Sequence, residues 1–171
     1  MATSPQIPGM GAFVDKNPGA SMPETPGLVK VAARLLGLCA VVQIVASIFG
    51  LIYASSPERL AAIQAQIDVM SGDVPSLELM RNMGLLTVIM AGVVTVGAYL
   101  FISFFLLRGR SWARSTAAVL VALTLIQLVG ISFPAGLATV AQLVLGGVAV
   151  GLCYLPASTR YFAAAKAARG Q

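Results

Sequence analysis

The sequence predicts an all-α integral membrane protein: a four-helix bundle (N-in, C-in) with a short outer amphipathic helix and a disordered Pro/Gly-rich N-terminal tail. Three observations predict it. First, from Ser115 to Thr159 no charged side chain occurs. As helix that run would measure roughly 67 Å, twice the hydrocarbon thickness of a bilayer. The turn signal Ser132-Phe133-Pro134-Ala135-Gly136 lies near its middle, so it divides into two spans. Second, the chain is 58% hydrophobic and 10% charged, with a mean hydropathy of +0.89. Soluble domains carry about 25% charge. Third, the cations fall on alternate sides of the apolar segments, as set out below.

The elements follow in order. Residues 1–28 form a tail holding Pro5, Pro8, Pro18, Pro23 and Pro26 and no hydrophobic h-region. It reads as a flexible cytoplasmic tether, not a signal peptide. A four-span bundle over 29–157 follows. Its first span, about 31–54, is entered past Lys30 and Arg34. In the outer loop, 55–81, Ser56-Pro57-Glu58 supplies an N-cap, a proline at the first helical position and an acid in the first turn. Leu60, Ile63, Ile67 and Met70 then recur at helical spacing, with Gly72 as a stop. That short helix is expected to rest its apolar edge on the bilayer or on the bundle's rim.

Pro75-Ser76 opens a second helix running from Leu77 to Leu107, roughly 46 Å, whose membrane part is about 82–107. Arg108-Gly109-Arg110-Ser111-Trp112-Ala113-Arg114 is a tight basic connector. The third and fourth spans cover about 113–133 and 137–155. In the basic tail, 158–171, Ser158 is expected to cap a helix from Thr159 to Arg169 lying among anionic headgroups. Without water in the hydrocarbon slab the backbone must satisfy itself, so all four spans are helices.

With the N-terminus inside, the inner flanks carry Lys16, Lys30, Arg34, Arg108, Arg110, Arg114, Arg160, Lys166 and Arg169, and the outer flanks only Arg59 and Arg81. This bias places both termini in the cytoplasm of a multi-pass plasma-membrane protein. The net charge of +5 therefore reports topology and implies no nucleic acid partner. Trp112, Tyr154, Tyr161 and Phe162 inside, with Tyr53 and Phe133 outside, read as interfacial anchors.

The same residues limit the chemistry. Histidine is absent, and no Asp, Glu, Lys or Arg falls in any span core. That argues against proton relays, ion-coupled transport, metal centres and a self-contained enzyme. No cofactor is implied. Cys39 and Cys153 read as small apolar fillers. Three glutamines remain as contact residues: Gln127 and Gln142 at similar depth on the two arms of the last hairpin, expected to bond each other, and Gln43 with no obvious partner. Small residues form stripes for close helix approach: Ala33, Gly37, Ala40 and Ser47 on the first span and Gly84, Thr87, Ala91, Thr95 and Ala98 on the second. Gly147 and Gly151 make a GxxxG on the fourth that faces the bundle or a second subunit. Arg108, Arg110, Arg114 and Arg160 are the candidates for lipid-headgroup contact.

The connector Arg108-Gly109-Arg110-Ser111-Trp112-Ala113-Arg114 and the closing run Tyr154-Leu155-Pro156-Ala157-Ser158-Thr159-Arg160-Tyr161-Phe162 resemble those of small four-span actinobacterial membrane proteins. In that group a Pro/Gly-rich head, a Gly-Arg-x-Trp-Ala-Arg connector and a Leu-Pro-x-Ser stop recur. The resemblance covers the architecture, with about sixteen residues of motif. It implies an accessory subunit of the fused cytochrome bc–oxidase supercomplex as a specific candidate. The expected function is non-catalytic: an accessory or assembly subunit of a larger membrane complex, with other integral membrane proteins and membrane lipids as partners. An oligomeric small transporter or channel, and a lipid-headgroup-binding protein, are the alternatives.

Overall fold

The computed structural model describes residues 23–72, 74–127 and 136–170, Gln127 by its backbone alone. Among these the regular elements are all helices: α1 (Gly27–Ala54), α2 (Pro57–Asp68), α3 (Leu77–Leu107), α4 (Ser111–Gln127), α5 (Gly136–Tyr154) and α6 (Pro156–Ala168). Three of them, α1, α3 and α5, are long and apolar enough to cross a membrane. α4 is a shorter apolar helix over its described length. The turn expected around Pro134, the expected end of a third span beyond Gln127 and most of the expected tail, 1–22, lie outside the described residues.

Local signals account for most boundaries. Ser56 Oγ accepts the Arg59 amide at 3.2 Å with Pro57 beginning α2, and Ser76 Oγ accepts the Leu79 amide at 3.2 Å to begin α3. α3 ends at a Schellman motif. Gly109, at φ +66°, sends its amide to the Leu106 carbonyl, and Arg110 sends its own to Phe105. Pro156 separates α5 from α6. A proline there cannot supply the amide that the Leu152 carbonyl would otherwise receive, and its fixed φ suits a first helical position.

That last point corrects one expectation. The final helix begins at Pro156, not at Thr159, and Ser158 does not cap it. The Ser158 hydroxyl reaches back and donates to the Leu152 carbonyl at 2.7 Å, filling the place of the missing proline amide.

Packing sets the order of the helices. α1 lies between α3 and α5, which make no direct contact with each other among the described residues. α4 closes the far side by touching both. The core gathers at the end of the bundle that carries the cations. There Val29, Ala32, Leu36 and Cys39 of α1 meet Tyr99, Ile102 and Leu106 of α3, Ala113 and Ala117 of α4, and Ala149 and Cys153 of α5. Tyr161 and Phe162, expected as interfacial anchors, are instead buried in this core from below. No residue of α1 beyond Ala40 is fully buried, so α1 is only partly covered in the opposite half of the bundle. α2 rests there on α3 and α1 through Ile63, while Met70 stays exposed.

Candidate functional site

Two polar nodes organise the bundle, and both are built from side chains that hold helices to one another. The first lies where α1, α5 and α3 meet. Gln142 of α5, almost fully buried, donates its amide to Gln43 Oε1 at 2.7 Å. Gln43 in turn donates to Ser47 Oγ, one turn on, at 3.3 Å. The Cys39 thiol donates to the backbone carbonyl of Gln142 at 3.8 Å. Ser47 sits against Gly92 of α3, where an added Cβ would stand 2.5 Å from its oxygen. The absence of a large side chain at Gly92 lets α3 approach this closely. On α4 the Thr124 hydroxyl, also buried, donates to the Leu120 carbonyl at 2.9 Å. In a medium without water these groups need each other.

Gln43, for which the sequence offered no obvious partner, has one in Gln142. Gln142 bonds Gln43 across α1 and α5, while the Gln127 side chain lies outside the described residues. Interhelical side-chain hydrogen bonds in membranes average about 0.6 kcal/mol, up to about 1.7. A double-mutant cycle of Gln43→Leu and Gln142→Leu, read by thermal denaturation in detergent, should return a coupling in that range. Strictly additive losses would show that the two amides do not act as a pair.

The second node closes the basic end. The Schellman motif leaves the carbonyls of Leu107, Arg108 and Gly109 without helical partners. Tyr161 donates its hydroxyl to the Leu107 carbonyl at 3.0 Å, and Thr25 approaches the same carbonyl at 3.4 Å and the Tyr161 hydroxyl at 3.1 Å. Arg169 spans the other two carbonyls, Nη1 to Arg108 at 2.7 Å and Nη2 to Gly109. The segment before α1 and the end of α6 are thus both pinned to the α3–α4 connector. Thr25, Arg169 and the inward role of Tyr161 escaped the sequence reading. Gly109, next to an apolar run and between arginines, was the signal for a helix end that needs such partners.

The arginines proposed for headgroups are dispersed by this packing. Arg108 lies over the Phe104 ring at 4.1 Å, and Arg114 faces the rings of Tyr154 at 5.3 Å and Phe162 at 5.6 Å. Arg110 is half-buried and Arg160 exposed. Phe101, Phe105 and Trp112 form an aromatic group where α3 meets α4, with Phe105 and Trp112 centroids 5.2 Å apart.

No family model, curated protein or solved structure matches this chain. Its chemistry is therefore read from the geometry. Among the described residues no three His, Cys, Asp or Glu side chains group to hold a metal ion. On α5 the small residues divide between two faces. Gly146 packs where an added Cβ would meet Val121 at 2.9 Å, and Ala149 and Cys153 are buried in line with it. Gly147 and Gly151 face outward with open space where a Cβ would stand. An open apolar groove of about 440 Å³ runs between α1 and α3, lined by Ile44, Ser47, Ile48, Gly92 and Val93 among others.

Proposed function

We propose that this chain is a four-span plasma-membrane protein, both termini cytoplasmic, that acts without catalysis as an accessory or assembly subunit of a larger membrane complex. A respiratory supercomplex of cytochrome bc and oxidase is the specific candidate. The observation that carries the reading is the second glycine face of α5. Its inner face, through Gly146, already serves the bundle, and Gly147 and Gly151 offer an outside helix the same close approach. The third span, which brings the total to four, is supported by α4, whose 17 described residues reach about 25 Å, and by the apolar sequence that continues to Phe133. The distribution of lysine and arginine supports the orientation.

A channel would need Gln43 to line a water-filled path. The amide of Gln43 is engaged by Gln142 and Ser47, which favours adhesion between helices. Lipids and integral membrane proteins are the partners of this reading, and nucleic acid is not.

Purification in mild detergent followed by mass spectrometry tests it. The wild-type chain should carry other membrane proteins with it. Gly147→Leu/Gly151→Leu should lower their recovery at least about tenfold, since about 1.4 kcal/mol of lost contact suffices. The yield of the chain itself should stay unchanged, because both positions face away from the core. A wild-type monomer that brings nothing with it would overturn the reading.

A further inference from the structure

The arginines that the sequence offered for lipid headgroups are drawn to rings or spread over the surface, yet the basic end contains a crevice they do not line. It lies between α1 and α3, has a volume of about 470 Å³, and is lined by Lys30, Ala33, Arg34, Ser103 and Leu107. That volume falls within the roughly 300–1,000 Å³ of ligand pockets. Lys30 and Arg34 are one turn apart on α1, so their Cβ atoms stand about 5–6 Å from each other on one face. Both side chains are exposed, and Arg34 makes no ion pair among the described residues. The Ser103 hydroxyl is already committed to the Ala33 carbonyl at 2.9 Å, so the wall beside the cations is apolar. Two cations above an apolar wall, at the end of an uncharged membrane helix, match an anionic headgroup attached to a hydrocarbon chain.

We propose that this crevice binds one anionic phospholipid, its phosphate held by Lys30 and Arg34 and the start of an acyl chain laid against Ala33 and Leu107. An anion already stands at its rim: Glu24 lies 3.7 Å from Lys30. The neighbouring Thr25 ties that segment to Leu107 and Tyr161, which holds Glu24 beside the site. The carboxylate and the lipid phosphate compete for one ammonium group. A free phosphate ion would use the cations and leave the wall of Ala33 and Leu107 unused. The inference rests on the membrane reading but on no protein partner, so it stands or fails apart from the accessory-subunit assignment.

Native mass spectrometry of the isolated chain tests it, after exchange into mixed vesicles of phosphatidylglycerol and phosphatidylcholine with identical acyl chains. One phosphatidylglycerol should be retained in preference to phosphatidylcholine. Lys30→Gln/Arg34→Gln should cut that retention about tenfold or more, as two lost headgroup contacts would. Leu107→Trp, which fills the crevice and keeps every charge, should also cut it. Glu24→Gln should raise it, and Arg160→Gln should leave it unchanged. Equal loss from Arg160→Gln would reduce the effect to diffuse surface charge and overturn the proposal. So would equal retention of the two lipids, full retention in Leu107→Trp, or complete displacement of the lipid by excess inorganic phosphate.

Discussion

Gly109→Val should release α6 from the bundle and produce the largest loss of order at the basic end. Two costs combine at this position. The backbone sits at φ +66°, which a β-branched residue adopts only under strain of about 1–3 kcal/mol. A Cβ built there would also stand 2.8 Å from Ala165 Cβ and 3.1 Å from the Tyr161 hydroxyl. Overpacking of that kind costs about 1–3 kcal/mol more. The total, about 2–6 kcal/mol, falls on the few contacts that dock α6: the Tyr161 and Arg169 hydrogen bonds to the connector and the burial of Phe162. Limited trypsin digestion in detergent should therefore cut at Arg160 and Lys166 in the variant under conditions that spare them in the wild type. Gly109→Asn separates the two costs, because asparagine tolerates positive φ but keeps the Cβ. It should show an intermediate rate. If Gly109→Val digests like the wild type, the docking of α6 does not depend on this turn.

Gly92→Leu should separate α3 from α1 in the half of the bundle away from the cations. Gly92 is buried against Ser47, whose oxygen and Cβ would stand 2.5 and 3.2 Å from a new Cβ. An alanine needs only a turn of the Ser47 hydroxyl and a shift of a few tenths of an ångström. A leucine needs the helices to part. Membrane helices have little hydrophobic drive to hold them against such a wedge, so the loss is expected to reach about 1–3 kcal/mol. The readout is a disulfide between Gly50→Cys and Val88→Cys, chosen because an added Cβ at Gly50 would lie 3.3 Å from the Val88 side chain. Mild oxidation should close it readily in the background chain and at least about fivefold less in Gly92→Leu. Cys39 and Cys153 are both buried and should not compete. Equal closure in both chains would mean that the approach of α1 to α3 is set elsewhere.

These positions also show what could be read in advance. Ser56, Ser76, Gly109 and Pro156 mark helix ends by their own chemistry, and the elements they bound are where local sequence places them, except that α6 starts at its proline. The stripe read for the second span, Gly84, Thr87, Ala91, Thr95 and Ala98, does not coincide with the face that is buried, which carries Gly92, Tyr99, Ile102 and Leu106. Small residues occur on several faces of such a helix. When lipid and protein neighbours are both apolar, hydrophobicity does not choose between them.

Gln43 and Gln142 were each visible as polar residues in apolar helices. Their bond to each other was not, because it requires knowing that α5 lies beside α1. The headgroup reading went to the arginine-rich connector because those residues are adjacent in sequence. The crevice with cations on its rim is formed by α1 and α3, and its lining residues lie far apart in the chain.

By itself, then, the sequence determined the helical state, the long apolar segments and most of their ends. Each of these depends on side chains within a turn or two, or on the cost of exposing backbone to hydrocarbon. Only the tertiary structure decided the order of helices around the bundle, which glycines touch and which face outward, the pairing of Gln43 with Gln142, and the closing of the basic end by Thr25, Tyr161 and Arg169. Those depend on distances between residues remote in the chain, and no local preference carries that information.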